Sequence, residues 1–474
     1  MIARFQPGEP VMPRKPIFAA VAAAVSAVLA HPAMAADTAP ATVVLHCGHL
    51  FDSNTGKLLG ETTIVTDGKR IKEVKPGRAD VAGATQAVDL SRSTCLPGLI
   101  DSHTHLTSET SPTGYTDQFR WNTADYAIRS TVYAKRTLDA GFTTVRNLGD
   151  GQGESISLRN AINAGIVPGP RIFTAGGAIG STGGHADGTD GYRHDLAGDP
   201  NAKDGIINGA DDAWKAVRQH YKDGVDVIKI MPSGGVLDES SSVDNAQLTI
   251  DEIKAVVAAA HDYGFTVAAH AHGAEAIRRA VIGGVDSIEH GTFMDDADMK
   301  LMKEHGTYYV PTIIAGKYVQ EKAEVPGYYP PQVAAKAKQV GPLIQATAGK
   351  AYKAGVKIAF GTDAAVYPHG QNAKEFQYMV EAGMPNAFVL QAATTHAADL
   401  LHQTKDLGSV EAGKLADVVA VDGNPLDDIR LMQNVGFVMK GGVIYKDAGK
   451  PVTPVAMEQA PAPSIAQGEE LLGF

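Results

Sequence analysis

Apolar residues recur along this chain in two rhythms. Short β-branched runs at Thr42–His46 and Thr62–Val65, partial alternation at Arg70–Val74 and the hairpin signal Asp67-Gly68 predict strands. The same character returns at Ala416–Val421, at Val435–Lys440 and, after Gly441-Gly442, at Val443–Tyr445. Two β-rich flanks around a long middle predict one small composite β-sandwich from both chain ends, residues 41–96 and 403–447. Between them, residues 97–402 alternate strand-like and helix-like stretches. Strand candidates are 96–101, Thr143–Asn147, Arg171–Ala175, Val225–Ile230, Thr266–His270, Ser287–His290, Tyr308–Pro311 and Lys357–Gly361. Helical patterns such as Ile253–Tyr263 and Glu275–Ile282 separate them. Eight β/α units predict an α/β fold, a (β/α)8 TIM barrel.

Composition changes this picture little. The 474 residues suffice for one barrel plus a smaller domain, and 51 glycines suit many strand-to-helix turns. A net charge of -11 argues against a nucleic-acid surface. The N-terminus reads as an export signal over residues 1–35. Arg14-Lys15 precede an apolar stretch from Ile17 to Leu29, and Ala33-Met34-Ala35 gives a small-x-small cleavage pattern. The expected location is therefore periplasmic or secreted. No other segment has 18 consecutive apolar residues, so no membrane span is expected. The two cysteines, Cys47 and Cys95, have the option of pairing in an oxidising compartment, but a chain of this size does not need that staple.

In a barrel of this kind, catalytic groups sit at the C-terminal ends of the strands. The first candidate strand leads into Asp101-Ser102-His103-Thr104-His105. Residues i and i+2 of a strand share a side, so two imidazoles can face one metal. The fourth carries Lys229 in an apolar run, the fifth ends at His270, the sixth at His290, and the eighth runs into Thr362-Asp363. Each alone has a plain reading as a surface, core or snorkelling residue. Together they are six groups at the ends of five strands.

That pattern resembles the amidohydrolase superfamily over nearly the whole chain after the signal. The motifs are Pro97-Gly98-Leu99-Ile100-Asp101-Ser102-His103-Thr104-His105, then Lys229, His270, His290 and Asp363 in that order, with Gly408–Val418 as the return into the composite sandwich. Within the superfamily the chain is most similar to the imidazolonepropionase-like branch. That branch holds exported Xaa-Pro and Xaa-Arg dipeptidases and carboxypeptidases and the ochratoxin-hydrolysing amidohydrolases, and the similarity is greatest to the last group. The resemblance implies two divalent metal ions, most simply Zn2+. His103, His105 and Asp363 would hold the first, His270 and His290 the second. Lys229 would bridge them as a carbamate, because an ammonium has no lone pair. A bridging hydroxide would complete the site, with Asp363 relaying its proton to the leaving amine. Two such cations against a carbamate, a carboxylate, a hydroxide and four neutral imidazoles leave the centre nearly balanced in charge. The implied reaction is hydrolysis of small N-acyl amino acids or dipeptides with a free carboxylate, by a protein related to homo-oligomers.

Candidate substrate contacts are His272, two residues past His270, and His185 and Arg193 in the glycine-rich loop from Gly180 to His194. The backbone N–H groups of Ser233-Gly234-Gly235 add to them. Residues 314–340, with Tyr328-Tyr329-Pro330-Pro331, form an insert expected at the rim, and 448–474 a Pro- and Ala-rich tail. Two other readings stay open: hydrolysis of a lactone, cyclic amide or phosphotriester, and a non-catalytic metal-binding barrel.

Overall fold

The structure, a computed structural model, describes residues 42–239 and 242–453. The export signal and most of the tail fall outside them. Nine strands form one continuous sheet from both ends of the chain. Val43–Asp52 pairs in parallel with Gln86–Pro97, and Gln86–Pro97 pairs antiparallel with Val418–Asp422, in the register Val418↔Pro97 and Ala420↔Cys95. The two flanks therefore share one hydrogen-bonded ladder rather than two. Its own apolar core includes Leu45, Ile64, Ile71, Val418, Phe437 and Met439. Cys47 and Cys95, both fully buried there, form a disulfide with Cα atoms 5.9 Å apart. The sequence leaves that pairing open; the cysteines lie on neighbouring parallel strands, one on each side of an irregularity in their register.

The middle of the chain supplies two parallel sheets. Leu99–Thr104, Phe142–Asn147 and Arg171–Thr174 form one. Ile228–Ile230, Val267–Ala271, Ser287–His290 and Tyr308–Val310 form the other. Seven of the eight expected strands are thus present, each within a few residues of its expected bounds. The eighth, 357–361, is not a regular strand. Its backbone nonetheless bonds on both sides: Tyr309 N–H donates to Lys357 O at 2.8 Å, Ser102 N–H to Phe360 O at 2.9 Å and Asp363 N–H to His103 O at 2.7 Å. Gly361 permits this approach, since a Cβ there would lie 2.3 Å from Val310 Cγ1. On the other side, Ile179 N–H donates to Lys229 O at 2.8 Å and links the two sheets through the segment after Arg171–Thr174.

The helices follow their expected periodicity. Ile250–Asp262 starts with a capping box in which the Thr249 side chain accepts from Glu252 N–H, and it buries Ile253, Val256, Val257 and Ala260. The 314–340 insert becomes a helical hairpin, Ile313–Ala323 and Pro331–Ala354. Its helices cross closely at Gly316, where a Cβ would meet Ile344 Cγ2 at 2.5 Å. No helix among the described residues is long and apolar enough to cross a membrane.

Candidate metal centre

The expected ligands converge at the C-terminal ends of the parallel strands. The Nε2 atoms of His103 and His105 lie 3.4 and 3.2 Å from Asp363 Oδ1. Lys229 Nζ is 3.5 Å from His103 Nε2. The His290 ring stands 5.0 Å from His103 and 4.7 Å from His270, centroid to centroid. His103, His105 and Asp363 already offer ligand atoms within 4.8 Å of one another, whereas His270 and His290 stand beside that group without joining it.

Hydrogen bonds on the far side of each ring aim its other nitrogen inward. His105 Nδ1 donates to Gly149 O at 3.0 Å and His270 Nε2 to Gly234 O at 3.1 Å. A carbonyl accepts only, so in the neutral rings the lone pairs are on His105 Nε2 and His270 Nδ1. His103 Nδ1 pairs with Glu289 Oε2 at 2.8 Å, and His290 Nδ1 with Thr312 Oγ1 at 2.7 Å. Burial keeps four of the imidazoles neutral: it lowers His103 to about 4 and His272 to about 3, and drives His270 and His290 well below the usual value. Burial also lowers Lys229 to about 8. It would raise Asp363, but His103 and His105 outweigh it and hold the carboxyl well below its usual range. Two imidazole Nε2 atoms 3.4 and 3.2 Å from one carboxylate oxygen frame a position that a shared cation would satisfy. The donor set therefore fits a divalent metal, with each ring oriented from behind as metal-binding histidines require.

Two expected ligand positions, and the residue that orients one of them, depend on unusual backbone. His290, Thr312 and Asp363 have φ of 71°, 49° and 59°. Such left-handed conformations cost non-glycine residues energy and cluster where function over-determines the geometry. At His290 the reversal has a visible use. Ser287 and Glu289 share one face of their strand, joined by a 2.5 Å hydrogen bond, and the turn at His290 redirects the next side chain into the site.

The cavity above the cluster has a volume of about 490 Å³. His105, Lys229, His270, His290 and Asp363 line its floor; Tyr115, Val236, Leu237, Val319, Val340 and Ile344 wall it. The insert expected at the rim is thus a cavity wall. His185 and His272 line the cavity as well. Arg193 does not: its side chain is 73% exposed and pairs with Asp195. Ser233, Gly234 and Gly235 are not among the residues lining the cavity; the Gly234 carbonyl accepts from His270, and Gly235 N–H is bonded to Asp238 Oδ2 at 3.0 Å.

Sequence reasoning missed the layer beneath the ligands. Arg146, 1% exposed, donates to Glu289 Oε1 at 2.8 Å and to Ser102 O at 2.6 Å. Asp101 accepts from Thr362 Oγ1 at 2.6 Å and Asn372 Nδ2 at 2.8 Å. Arg146, a charge inside an apolar strand, carried the same signal as Lys229.

Residues 94–445 match the family described as "Amidohydrolase family". The chain belongs to the amidohydrolase family. Like its relatives, this amidohydrolase is a hydrolase of amide C–N bonds, and its family generally uses divalent metals. It is 32% identical to ochratoxinase from Aspergillus niger over 378 residues, 75% of this chain and 76% of that protein. A solved structure of a Xaa-Pro dipeptidase with bound methionine in the active site is similar at a TM-score of 0.84 and 48% identity, covering 86% of this chain and all of that one. The A. niger ochratoxinase structure is similar at a TM-score of 0.75 and 30% identity, covering 86% of this chain and 96% of that one. These relatives imply a TIM barrel with an additional β domain for the amidohydrolase described here.

Proposed function

We propose that this amidohydrolase is a two-metal enzyme cleaving the amide bond of dipeptides or N-acyl amino acids whose carboxylate is free. The observation that carries the reading is the convergence of His103, His105 and Asp363 with Lys229 and the His270–His290 pair under one apolar-walled cavity. His103, His105 and Asp363 would hold one ion, His270 and His290 the other, and a carbamylated Lys229 would bridge them; zinc suits this nitrogen- and oxygen-rich set. When bound, such ions lower the pKa of a shared water and polarise the scissile carbonyl. Asp363 Oδ takes the proton of the attacking water and returns it to the leaving nitrogen. The proposed scaffold is a closed eight-stranded barrel, supported by the backbone bonds of 357–363 to both neighbouring strands.

The substrate class rests on the cavity. Its volume suits a small ligand, and its walls favour an apolar or aromatic side chain. No arginine lines it among the described residues, and His185 and His272, the lining histidines outside the expected ligand set, are assigned to the substrate's carboxylate. The relatives fit that class, being a dipeptidase and an ochratoxinase; release of phenylalanine from ochratoxin A is the corresponding reaction here. Export to an extracytoplasmic compartment and assembly into a homo-oligomer belong to the same reading.

The test compares N-acetyl-L-phenylalanine with its carboxamide on zinc-loaded enzyme. The expected result is a much higher kcat/KM for the free acid. Equal values mean that the carboxylate is not read, and lactones, cyclic amides and phosphotriesters become the substrates to try. Metal without hydrolysis of any of these would favour a non-catalytic binding protein.

A further inference from the structure

A buried charged chain connects the rim hairpin to the floor of the cavity. Lys336, on Pro331–Ala354, donates from Nζ to Gly235 O at 2.9 Å, Asp238 O at 2.7 Å and Asp238 Oδ1 at 2.7 Å. The other oxygen of that carboxylate, Asp238 Oδ2, lies 2.7 Å from His185 Nδ1. The His185 ring then sits 4.5 Å from the ring of His270. All three side chains are largely buried, at 13% exposure for Lys336, 17% for Asp238 and 20% for His185.

His185 is fixed from other directions too. Its backbone N–H donates to Gln247 Oε1 at 2.9 Å. Its ring lies so close over Gly235 that a Cβ there would come within 2.0 Å of Cε1. A loop histidine held at its backbone and its face, with one ring nitrogen against a carboxylate, has little freedom left. The ion pair costs desolvation and is replaceable by apolar packing as far as stability goes, so geometry is the better account of its presence.

We infer that Asp238 and Lys336 are positioning residues that hold His185 over the metal-ligand cluster, so that the rim helix which walls the substrate's side chain also sets the residue that contacts its polar end. Val340 lies one turn beyond Lys336 on the same helix and faces the cavity. Val236 lies between the two residues that Lys336 binds, and it lines the cavity as well. A side chain wedged against Val340 and Val236 therefore pushes on the elements that fix His185. The inference rests on the proposed function in one respect, the reading of His185 as a substrate contact.

The experiment is a double-mutant cycle on zinc-loaded enzyme with N-acetyl-L-phenylalanine, using Lys336→Met, His185→Ala and the double variant. Lys336→Met alone is expected to lower kcat/KM by ~10- to 100-fold, the scale of a misplaced contact, mainly through KM, with zinc content unchanged. In the His185→Ala background the same change is expected to cost less than about twofold, because the residue it positions is gone. A merely structural lysine costs the same in both backgrounds, and that result overturns the inference, as does loss of zinc in Lys336→Met. Should Lys336→Met fail to fold, Asp238→Asn replaces it in the same cycle with the same criterion. A wild-type enzyme that hydrolyses no dipeptide or N-acyl amino acid overturns the functional reading instead. The cycle is then read from the Kd of L-phenylalanine by calorimetry, where equal losses in both backgrounds again overturn the positioning role.

Discussion

Glu289 Oε2 sits 2.8 Å from His103 Nδ1, with both side chains essentially out of contact with solvent. The carboxylate fixes the ring and its tautomer, and its other oxygen is held by Arg146. Glu289→Gln keeps the shape and loses the charge. Metal affinity or turnover is expected to fall 10- to 100-fold, the usual scale for a group that orients a metal ligand from behind. Zinc affinity by competition with a chelator measures it, and an unchanged value removes Glu289 from the site. Arg146→Met leaves the carboxylate buried and unpaired, which costs about 3–5 kcal/mol of stability. Urea unfolding reads that loss.

Lys229→Ala removes the proposed bridge. The variant is expected to be inactive, with partial rescue by added short-chain carboxylate, which supplies the missing oxygen ligands. Activity and metal content are followed together. An active variant with both metals retained shows that the bridge is dispensable.

Asp363→Asn keeps the volume but cannot take a proton. The expected fall in kcat is at least ~100-fold. A change under about tenfold removes Asp363 from proton transfer, provided that metal analysis shows the site still loaded.

Acid is expected to remove the contribution that buried neutral histidines make to the stability of the metal-stripped protein. His103 falls to about 4 and His272 to about 3 in the folded state, against an ordinary 6.5. As pH drops, the unfolded chain takes up these protons first. The contribution of these two rings is therefore full above about 6.5 and is lost as pH falls through the window down to about 4 for His103 and about 3 for His272. Urea midpoints measured from pH 7.5 to 4 are expected to fall, relative to those of a His103→Asn/His272→Asn variant, as the pH is lowered. Parallel profiles for the two proteins would show that these rings do not carry the effect.

Much of this was legible because chemistry and strand ends coincide. His103, His105, Lys229, His270, His290 and Asp363 each follow or end an apolar run, and a parallel sheet brings such ends to one face. Other features had no local signature. Nothing in Lys357–Gly361 says that its backbone will bond to two neighbours without forming a regular strand. Arg193 lies in a glycine-rich loop that suggested a lid, yet it pairs with Asp195 two residues away and stays in solvent. Conversely, Asp238 and Lys336 look like ordinary surface charges, and only the hairpin's return over the 231–239 loop brings them together. Pairings set by tertiary contact, 98 residues apart in that case, leave no periodicity to read.

The strand that delivers Asp101, His103 and His105 begins where Gln86–Pro97 ends, and that strand's partner on one side is Val418–Asp422. During synthesis the N-terminal strands must wait for more than 300 residues before the ladder is complete. Contacts of such separation form late and slowly. The Cys47–Cys95 link spans only 48 residues and lies wholly within the early part. Under oxidising conditions it ties Val43–Asp52 to Gln86–Pro97, an entropic constraint on the unfolded chain of roughly 4 kcal/mol for a loop of that length. The disulfide thus acts as a placeholder, keeping the edge onto which the end of the chain docks.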